Sequence, residues 1–140
     1  QNAIELAGIL HDIGKLYIPT KVLLKKEKLN KLELAIMEKH SLYSYQILTK
    51  YNQPDLIRFG VLFHHEKYNG KGYPSNLNGS KIPLFARIIA LCDTFDAITS
   101  NRPYRKGQSI SFAINEIKKY SNTQFDPGLT NQFVSIFRNI

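Results

Sequence analysis

The sequence predicts an all-α helical bundle with one long loop rich in glycine and proline. Apolar residues recur at spacings of three and four along most of the 140 residues, and no stretch shows the period of two of a half-buried strand. Several of these apolar runs begin at proline, serine, asparagine or aspartate, which favour helix N-termini. A chain of this length fits one domain with its own core, so we expect residues 1–140 to form one unit.

The first 50 residues predict two helices. Residues 3–11 are apolar enough for a buried helix, which Gly14 and Pro19 end. The next helix is expected to begin at Asn30, whose side chain can cap it, and to continue to about Lys50.

The residues after Lys50 predict four more helices and the long loop. An apolar helix that begins after Pro54 is dense enough in large side chains to be buried on most sides. Residues 66–82 then form a loop, because glycine, asparagine and proline crowd this segment, and loops of this length are usually functional or disordered. A long helix opens at Pro83 and is expected to be central to the core. Ser109 can cap the following helix, and Asp126 the last one.

Composition excludes several classes of protein. Cys92 is the single cysteine and cannot form an internal disulfide, which favours a reducing cytosol. No apolar stretch approaches the ~20 residues that a membrane span needs.

The net charge of +8 attracts phosphates, but runs such as residues 21–31 are typical of solvated surfaces, so we expect no binding to a nucleic-acid duplex. A small anionic ligand or an acidic partner domain would also explain the charge.

Histidines and aspartates at the predicted helix ends indicate a metal site. A single histidine near an apolar face is more typical of a hydrogen-bonded core residue, but a carboxylate such as Asp93 in an apolar helix needs a cation, donors or a metal. Helical bundles build metal sites from such inward-pointing side chains, and mixed imidazole and carboxylate ligands suit iron, manganese or zinc. The candidates are His11, Asp12, His40, His64, His65 and Asp93.

The order of four motifs resembles the HD-GYP subgroup of the HD superfamily of metal-dependent phosphohydrolases. They are HDIGK at 11–15, HHEKYNGKGYP at 64–74, IPLFARIIALCDTFDAITSNRPYR at 82–105 and TQFDP at 123–127. The resemblance covers nearly the whole chain. Other HD enzymes that hydrolyse nucleotides are an alternative, although they give no reason for the GYP and RPYR motifs.

The resemblance implies an HD-domain bundle that binds two or more divalent ions and hydrolyses cyclic di-GMP to linear pGpG, GMP or both. Iron or manganese is the implied metal, with zinc, nickel or magnesium as alternatives. The six candidates above are the implied ligands, with Asp12 as the bridge between ions. In catalysis Asp12 acts with Lys15, which would contact the scissile phosphate, and with Asp96, which would orient it. The implied substrate-binding residues are Lys15, Tyr73, Arg102 and Arg105.

Some of these residues also have simpler interpretations. Tyr73 could be a loop tyrosine that packs on the core, and RPYR could be a basic turn. Glu66 is interpreted as a residue that holds the tautomer of a ligand histidine. The segment NGKGYP is interpreted as a rigid loop, because no phosphate-binding helix N-terminus follows it directly.

Two positions depart from the HD-GYP pattern. Members usually carry a glutamate and a histidine ligand on a helix before HDIGK; only ten residues precede His11, and Glu5 is too close to replace them. One metal position is therefore expected to be incomplete in this chain, which begins at Gln1 and is interpreted as a fragment. Ser44 stands where relatives usually have glycine, and we expect it to affect helix packing rather than chemistry.

The expected partners follow from the resemblance. They are cyclic di-GMP, a regulatory domain elsewhere in a longer chain, other signalling proteins and a second copy in a homodimer. The expected location is the bacterial cytoplasm, with or without a tether to the membrane outside this segment. The alternative function is a catalytically inactive HD-GYP module for signalling or protein interaction.

Overall fold

The protein is helical throughout the part of the chain that the computed structural model describes, residues 2–101 and 105–137. The α-helices are α1 Asn2–Leu10, α2 Thr20–Leu23, α3 Lys31–Glu38, α4 His40–Lys50, α5 Asp55–Leu62, α6 Leu84–Thr99, α7 Ile110–Lys119 and α8 Pro127–Ile136. Short 3₁₀ helices span Ile13–Tyr17 and Gly79–Lys81. These ranges contain no β-strand, which confirms the all-α prediction. None of their helices has the length and apolarity to cross a membrane.

Helix α6 contributes to two apolar clusters and is central, as predicted. The first cluster lies between α1, α4, α5 and α6, and its buried members are Ala7, Leu48, Ile57, Val61 and Ile89. The second lies between α6 and the C-terminal helices, with Leu91, Ile117 and Phe125 buried. Burying such side chains contributes about 1.5–3 kcal/mol each. The two clusters fix α6 relative to the helices whose ends carry the candidate ligands.

The prediction of one helix over residues 30–50 is wrong, because the chain forms two helices that meet at Lys39. The Lys39 N–H bonds to the carbonyl of Ile36, only three residues back, which tightens the last turn of α3. The ring of His40 then takes the carbonyl of Met37 at 2.8 Å. A side-chain donor that captures a backbone acceptor competes with the helical ladder. The break therefore orients His40.

Two helices are less buried than their apolar sequences predicted. In α1, Ile9 is 77% exposed, and in α5, Leu56 is 51% exposed, although Ile57 and Val61 are buried. Cys92, on the apolar pattern of α6, is also exposed. Helices α1 and α5 therefore lie at the surface of the described structure, and each buries one face only.

An ion pair joins α6 to the start of α8. Arg87 Nη1 lies 2.5 Å from Asp126 Oδ2, and both side chains are largely buried. The other oxygen of Asp126 accepts the backbone N–H groups of Gly128 and Leu129, at 2.7 Å and 3.0 Å, and so caps α8. Burial raises the pKa of Asp126, but these N–H donors and Arg87 outweigh it and hold the pKa below its ordinary value of 3.8.

We expect Asp126→Ala to reduce the free energy of unfolding by about 1–3 kcal/mol, because it removes both the cap and the ion pair. The lowered pKa means that this contribution is present above about pH 4 and is lost as the pH falls through the folded-state pKa. Urea unfolding at pH 7 and pH 3 checks both statements. Asp55→Ala is the control, since Asp55 is 69% exposed in its pair with Arg58 and should change stability by less than about 1 kcal/mol.

Candidate metal centre

Four of the six predicted ligands meet at one point of the bundle. Asp12, His40, His64 and His65 each present one ligand atom, and these atoms lie within 4.8 Å of one another. His40 Nε2 lies 3.1 Å from His65 Nε2 and 3.5 Å from His64 Nε2. Close approach of several imidazole nitrogens around one carboxylate is the arrangement that a divalent ion requires.

Three helix ends fix the orientation of three histidine rings. In each ring Nδ1 donates to the backbone carbonyl three residues earlier, one of the carbonyls that a helix C-terminus leaves without a helical partner. The distances are 2.6 Å for His11 to Gly8, 2.8 Å for His40 to Met37 and 2.6 Å for His64 to Val61. A proton fixed on Nδ1 leaves Nε2 as the ligand atom, directed into the site.

The carboxylate of Asp12 lies between two groups of predicted ligands. Its Oδ1 is 3.3 Å from His40 Nε2, and its Oδ2 is 3.4 Å from His11 Nε2. Lys15 Nζ contacts the same Oδ2 at 2.5 Å. Burial raises the pKa of Asp12, but His11 and Lys15 outweigh burial and hold that pKa far below its ordinary range. Asp12 is therefore a carboxylate at neutral pH, with one oxygen facing each group.

His11 and Asp93 form the second group with Asp12. Asp93 Oδ1 on α6 lies 3.8 Å from His11 Nε2. The predicted ligands thus divide into His40, His64 and His65 on one side of Asp12, and His11 with Asp93 on the other.

The charge states of the histidines differ between the two groups. Burial lowers the pKa of His40, lowers that of His64 to about 4 and lowers that of His65 to about 2, so these rings are neutral at pH 7. Burial also lowers the pKa of His11, but the carboxylates of Asp12 and Asp93 outweigh it and raise this pKa to about 10. A ring held between two carboxylates attracts a cation, whether that cation is a proton or a metal ion.

Two buried polar atoms indicate that these residues fit a metal ion. Within the described residues, His11 Nε2 and Asp12 Oδ1 are buried and have no hydrogen-bond partner. Buried polar atoms in folded proteins are almost always paired, so an unpaired atom in each of the two ligand groups indicates an absent partner. Imidazole nitrogen and carboxylate oxygen together suit a first-row divalent ion. The residues fit such an ion.

The predicted catalytic residues lie at different distances from this centre. Lys15 contacts Asp12, and its side chain is 40% exposed. Asp96 is exposed and accepts a hydrogen bond from Ser100 Oγ at 2.7 Å. It lines a groove of about 330 Å³ together with His11 and Asp93. Asp96 is therefore near the second group of ligands without contacting it.

The structure describes Tyr73 and Arg105, two of the predicted substrate-binding residues. The ring of Tyr73 stacks on His65 with a centroid distance of 4.8 Å. Arg105 Nη2 donates to the carbonyl of Ala97 at 2.5 Å, near the end of α6. Arg102 lies outside the described residues. The stacking places Tyr73 against a candidate ligand, so a role for its ring in packing and a role toward a substrate are compatible.

The interpretation of Glu66 as a partner of a histidine is wrong. Glu66 is 3% exposed, and its carboxylate accepts the backbone N–H groups of Ser75 at 2.6 Å and Leu77 at 3.1 Å. It therefore ties the start of the predicted loop, directly after the histidine pair, to the interior of that loop. Backbone carbonyls hold the histidine tautomers instead.

The fold and the site define an all-α domain with a candidate metal centre at the ends of its helices. A family model described as HD domain matches residues 1–129, so the chain belongs to the HD domain family. One relative, the cyclic di-GMP phosphodiesterase response regulator RpfG of Xanthomonas campestris pv. campestris, is 42% identical over 89% of this chain and 33% of its own length. A cyclic di-GMP phosphodiesterase of Thermotoga maritima is 36% identical over 98% of this chain and 38% of its own.

Relatives with a second named substrate also match. The 3′3′-cGAMP-specific phosphodiesterase 3 of Vibrio cholerae is 39% identical over 86% of this chain and 26% of its own length. A crystal structure of a cyclic GMP-AMP-specific phosphodiesterase of V. cholerae, V-cGAP3, aligns with a TM-score of 0.70 at 21% identity, over 97% of this chain and 38% of that one. This likeness shows the shared fold. The chain spans about a third of the length of the curated relatives it matches.

Proposed function

We propose that this chain is a metal-dependent phosphodiesterase domain of the HD-GYP type that hydrolyses cyclic di-GMP. The observation that carries the proposal is the carboxylate of Asp12, with one oxygen toward His40 and the other toward His11. The names of the relatives from X. campestris and T. maritima support the substrate.

The proposed cofactors are two or more divalent ions. Asp12 with His40, His64 and His65 would hold one of them, and Asp12 with His11 and Asp93 would contribute to the position of another. Iron or manganese suits these ligands best. Divalent ions held there would supply a water whose pKa is lowered to about 7 and positive charge opposite the phosphate. The proposed reaction adds water across one phosphodiester bond: a new P–O bond forms, the P–O3′ bond breaks, and the 3′ oxygen leaves with a proton.

Lys15 and Asp96 are the proposed residues around the reacting phosphate. Lys15 carries its charge beside Asp12 and is 40% exposed, so its ammonium group can reach an anionic substrate without complete desolvation. Asp96 lines the same groove as Asp93, one helical turn farther along α6. Arg105, with Arg102, would bind the second phosphate through the planar geometry of guanidinium.

The proposed substrate is cyclic di-GMP rather than the mixed cyclic dinucleotide named for some relatives. Hydrolysis of one bond would give pGpG, and of both bonds GMP. We further propose that residues 1–140 form one catalytic domain of a larger bacterial signalling protein that acts in the cytoplasm. A regulatory domain or a second copy would be its partner.

Hydrolysis of the two cyclic dinucleotides by the full-length protein tests this function. The protein is loaded anaerobically with Mn²⁺ or Fe²⁺ and incubated with cyclic di-GMP or 3′3′-cGAMP, and products are separated by chromatography. We expect faster formation of pGpG or GMP from cyclic di-GMP. Bound metal without any product would contradict the proposal and favour the inactive signalling module. Faster hydrolysis of 3′3′-cGAMP would overturn the assigned substrate alone.

We expect the ring of Tyr73 to stack on His65, a candidate metal ligand, and also to stack on a base of the substrate. Tyr73→Phe keeps the ring that stacks on His65, whereas Tyr73→Ala removes it. We expect the alanine variant to raise KM for cyclic di-GMP by about tenfold, since stacking of a base on an aromatic ring contributes about 1–3 kcal/mol. The phenylalanine variant should stay within about threefold of wild type. Equal KM values for all three proteins would show that Tyr73 does not contact the base.

A further inference from the structure

Ser44 connects the segment that carries Asp12 to the helix that carries His40. The side chain is completely buried in α4, one turn after His40. Its hydroxyl accepts the backbone N–H of Gly14 at 2.8 Å and donates to the backbone carbonyl of His11 at 2.9 Å. These two backbone groups lie on either side of Asp12.

The contact around this hydroxyl is also tight. A Cβ atom at Gly14 would lie 2.1 Å from the carbonyl oxygen of His40 and 2.4 Å from the backbone nitrogen of Ser44. The 3₁₀ helix that contains Gly14 therefore packs backbone to backbone on α4. At such a contact, two hydrogen bonds to one hydroxyl fix both the separation and the register of the segments. The distance of 3.3 Å between Asp12 Oδ1 and His40 Nε2 follows from that register.

We propose that Ser44 is a positioning residue of the metal centre, which holds Asp12 against His40 and so raises the affinity for divalent ions. The inference rests on the proposed function, because it requires that these residues bind metal. The hydroxyl supplies two hydrogen bonds to the segment that carries Asp12, so the proposal goes beyond the expectation that Ser44 affects helix packing rather than chemistry.

The matched control for Ser44 lies in the same helix. Ser41 is also completely buried, but its hydroxyl donates to the carbonyl of Glu38, a neighbour in sequence, at 3.2 Å. Ser44→Ala and Ser41→Ala therefore remove the same group from equally buried positions of α4. Only the first removes a bond to the segment that carries Asp12.

Titration of the full-length protein with Mn²⁺, followed by the EPR signal of the free ion, tests the proposal. Removing residues that orient metal ligands typically weakens binding about 10- to 100-fold, and we expect Ser44→Ala to show a loss in this range. Ser41→Ala should stay within about twofold of wild type, since it leaves that orientation intact. Circular dichroism identifies a temperature at which all the proteins are folded. Equal affinities for the two variants would overturn the proposal.

If Ser44→Ala does not fold in plain buffer, the titration is repeated with all proteins in sucrose, an osmolyte that stabilises folded proteins. The visible absorption spectrum of bound Co²⁺ is a second readout, because it reports the geometry of the ligands, and we expect Ser44→Ala to change it. Wild-type affinity and an unchanged spectrum in Ser44→Ala would overturn the positioning role. A wild-type protein that binds no Mn²⁺ would instead refute the proposed function, and the role of Ser44 with it.

Discussion

Asp12→Asn is expected to weaken Mn²⁺ binding by at least about 100-fold, the upper end of the range for residues that only orient ligands. The substitution keeps the size of the side chain but replaces one oxygen by an amide nitrogen, which does not bind a divalent cation. The remaining oxygen can serve only one of the two groups, His40 on one side or His11 on the other. Hydrolysis of cyclic di-GMP should fall at least as far.

The measurement for this prediction is isothermal titration with Mn²⁺, with the metal content of the dialysed protein as a second readout. Asp55→Asn is the control, because Asp55 is an exposed carboxylate that pairs with Arg58 at the start of α5, the end opposite to His64. We expect wild-type binding in this control. If Asp12→Asn and Asp55→Asn bound Mn²⁺ equally well, Asp12 would not be the bridge between the two groups.

Gly14→Ala has the second largest expected effect. The added methyl group would lie within 3 Å of two backbone atoms, the carbonyl oxygen of His40 and the nitrogen of Ser44, neither of which can rotate away. We expect the free energy of unfolding to fall by about 3 kcal/mol, the upper end of the range for overpacked cores. Metal affinity should fall as well, because α4 must move away from the segment that holds Asp12.

Gly8→Ala is the control for Gly14→Ala. A methyl group at Gly8 meets nothing within 4 Å, and alanine in a helix is more stable than glycine by roughly 0.5–1 kcal/mol. We therefore expect opposite changes in stability from the same chemical substitution, six residues apart. Urea unfolding of the metal-free proteins measures both. A Gly14→Ala variant as stable as wild type would contradict the close packing described for α4.

The helices could be predicted because their signals are local. Asn30 caps α3 in a reciprocal pair with Glu33, as predicted, and Ser109 and Asp126 accept backbone N–H groups at the starts of their helices. The break at Lys39 could not be predicted, because apolar spacing continues through it. In the structure the ring of His40 takes the carbonyl of Met37, and apolar spacing carries no signal for that bond.

In the candidate site, the candidate ligands could be predicted and the residues that support them could not. Histidines beside aspartate at helix ends indicated a metal site, and the structure brings Asp12, His40, His64 and His65 together. The residues that support the ligands were missed. The carbonyls that orient the histidine rings are backbone atoms, which any residue carries, although a histidine just after an apolar helix is a usable signal.

Ser44 and Glu66 show why supporting residues are hard to predict. The hydroxyl of Ser44 contacts residues 30 and 33 positions away in sequence, and the carboxylate of Glu66 reaches across its own loop to two backbone N–H groups. Both residues stand out in the sequence, but nothing in the sequence indicates these hydrogen bonds. Their roles follow from tertiary contacts alone, so only the structure assigns them.

We propose that the histidines and aspartates gathered at these helix ends bind divalent metal. The most direct test is the metal content of the full-length protein after anaerobic loading with Mn²⁺ and gel filtration, measured for wild type and for His65→Ala. We predict at least about one tightly bound ion per wild-type chain and a large loss in His65→Ala, as removal of a ligand requires. A wild-type protein without metal, or a His65→Ala variant with unchanged content, would contradict the claim.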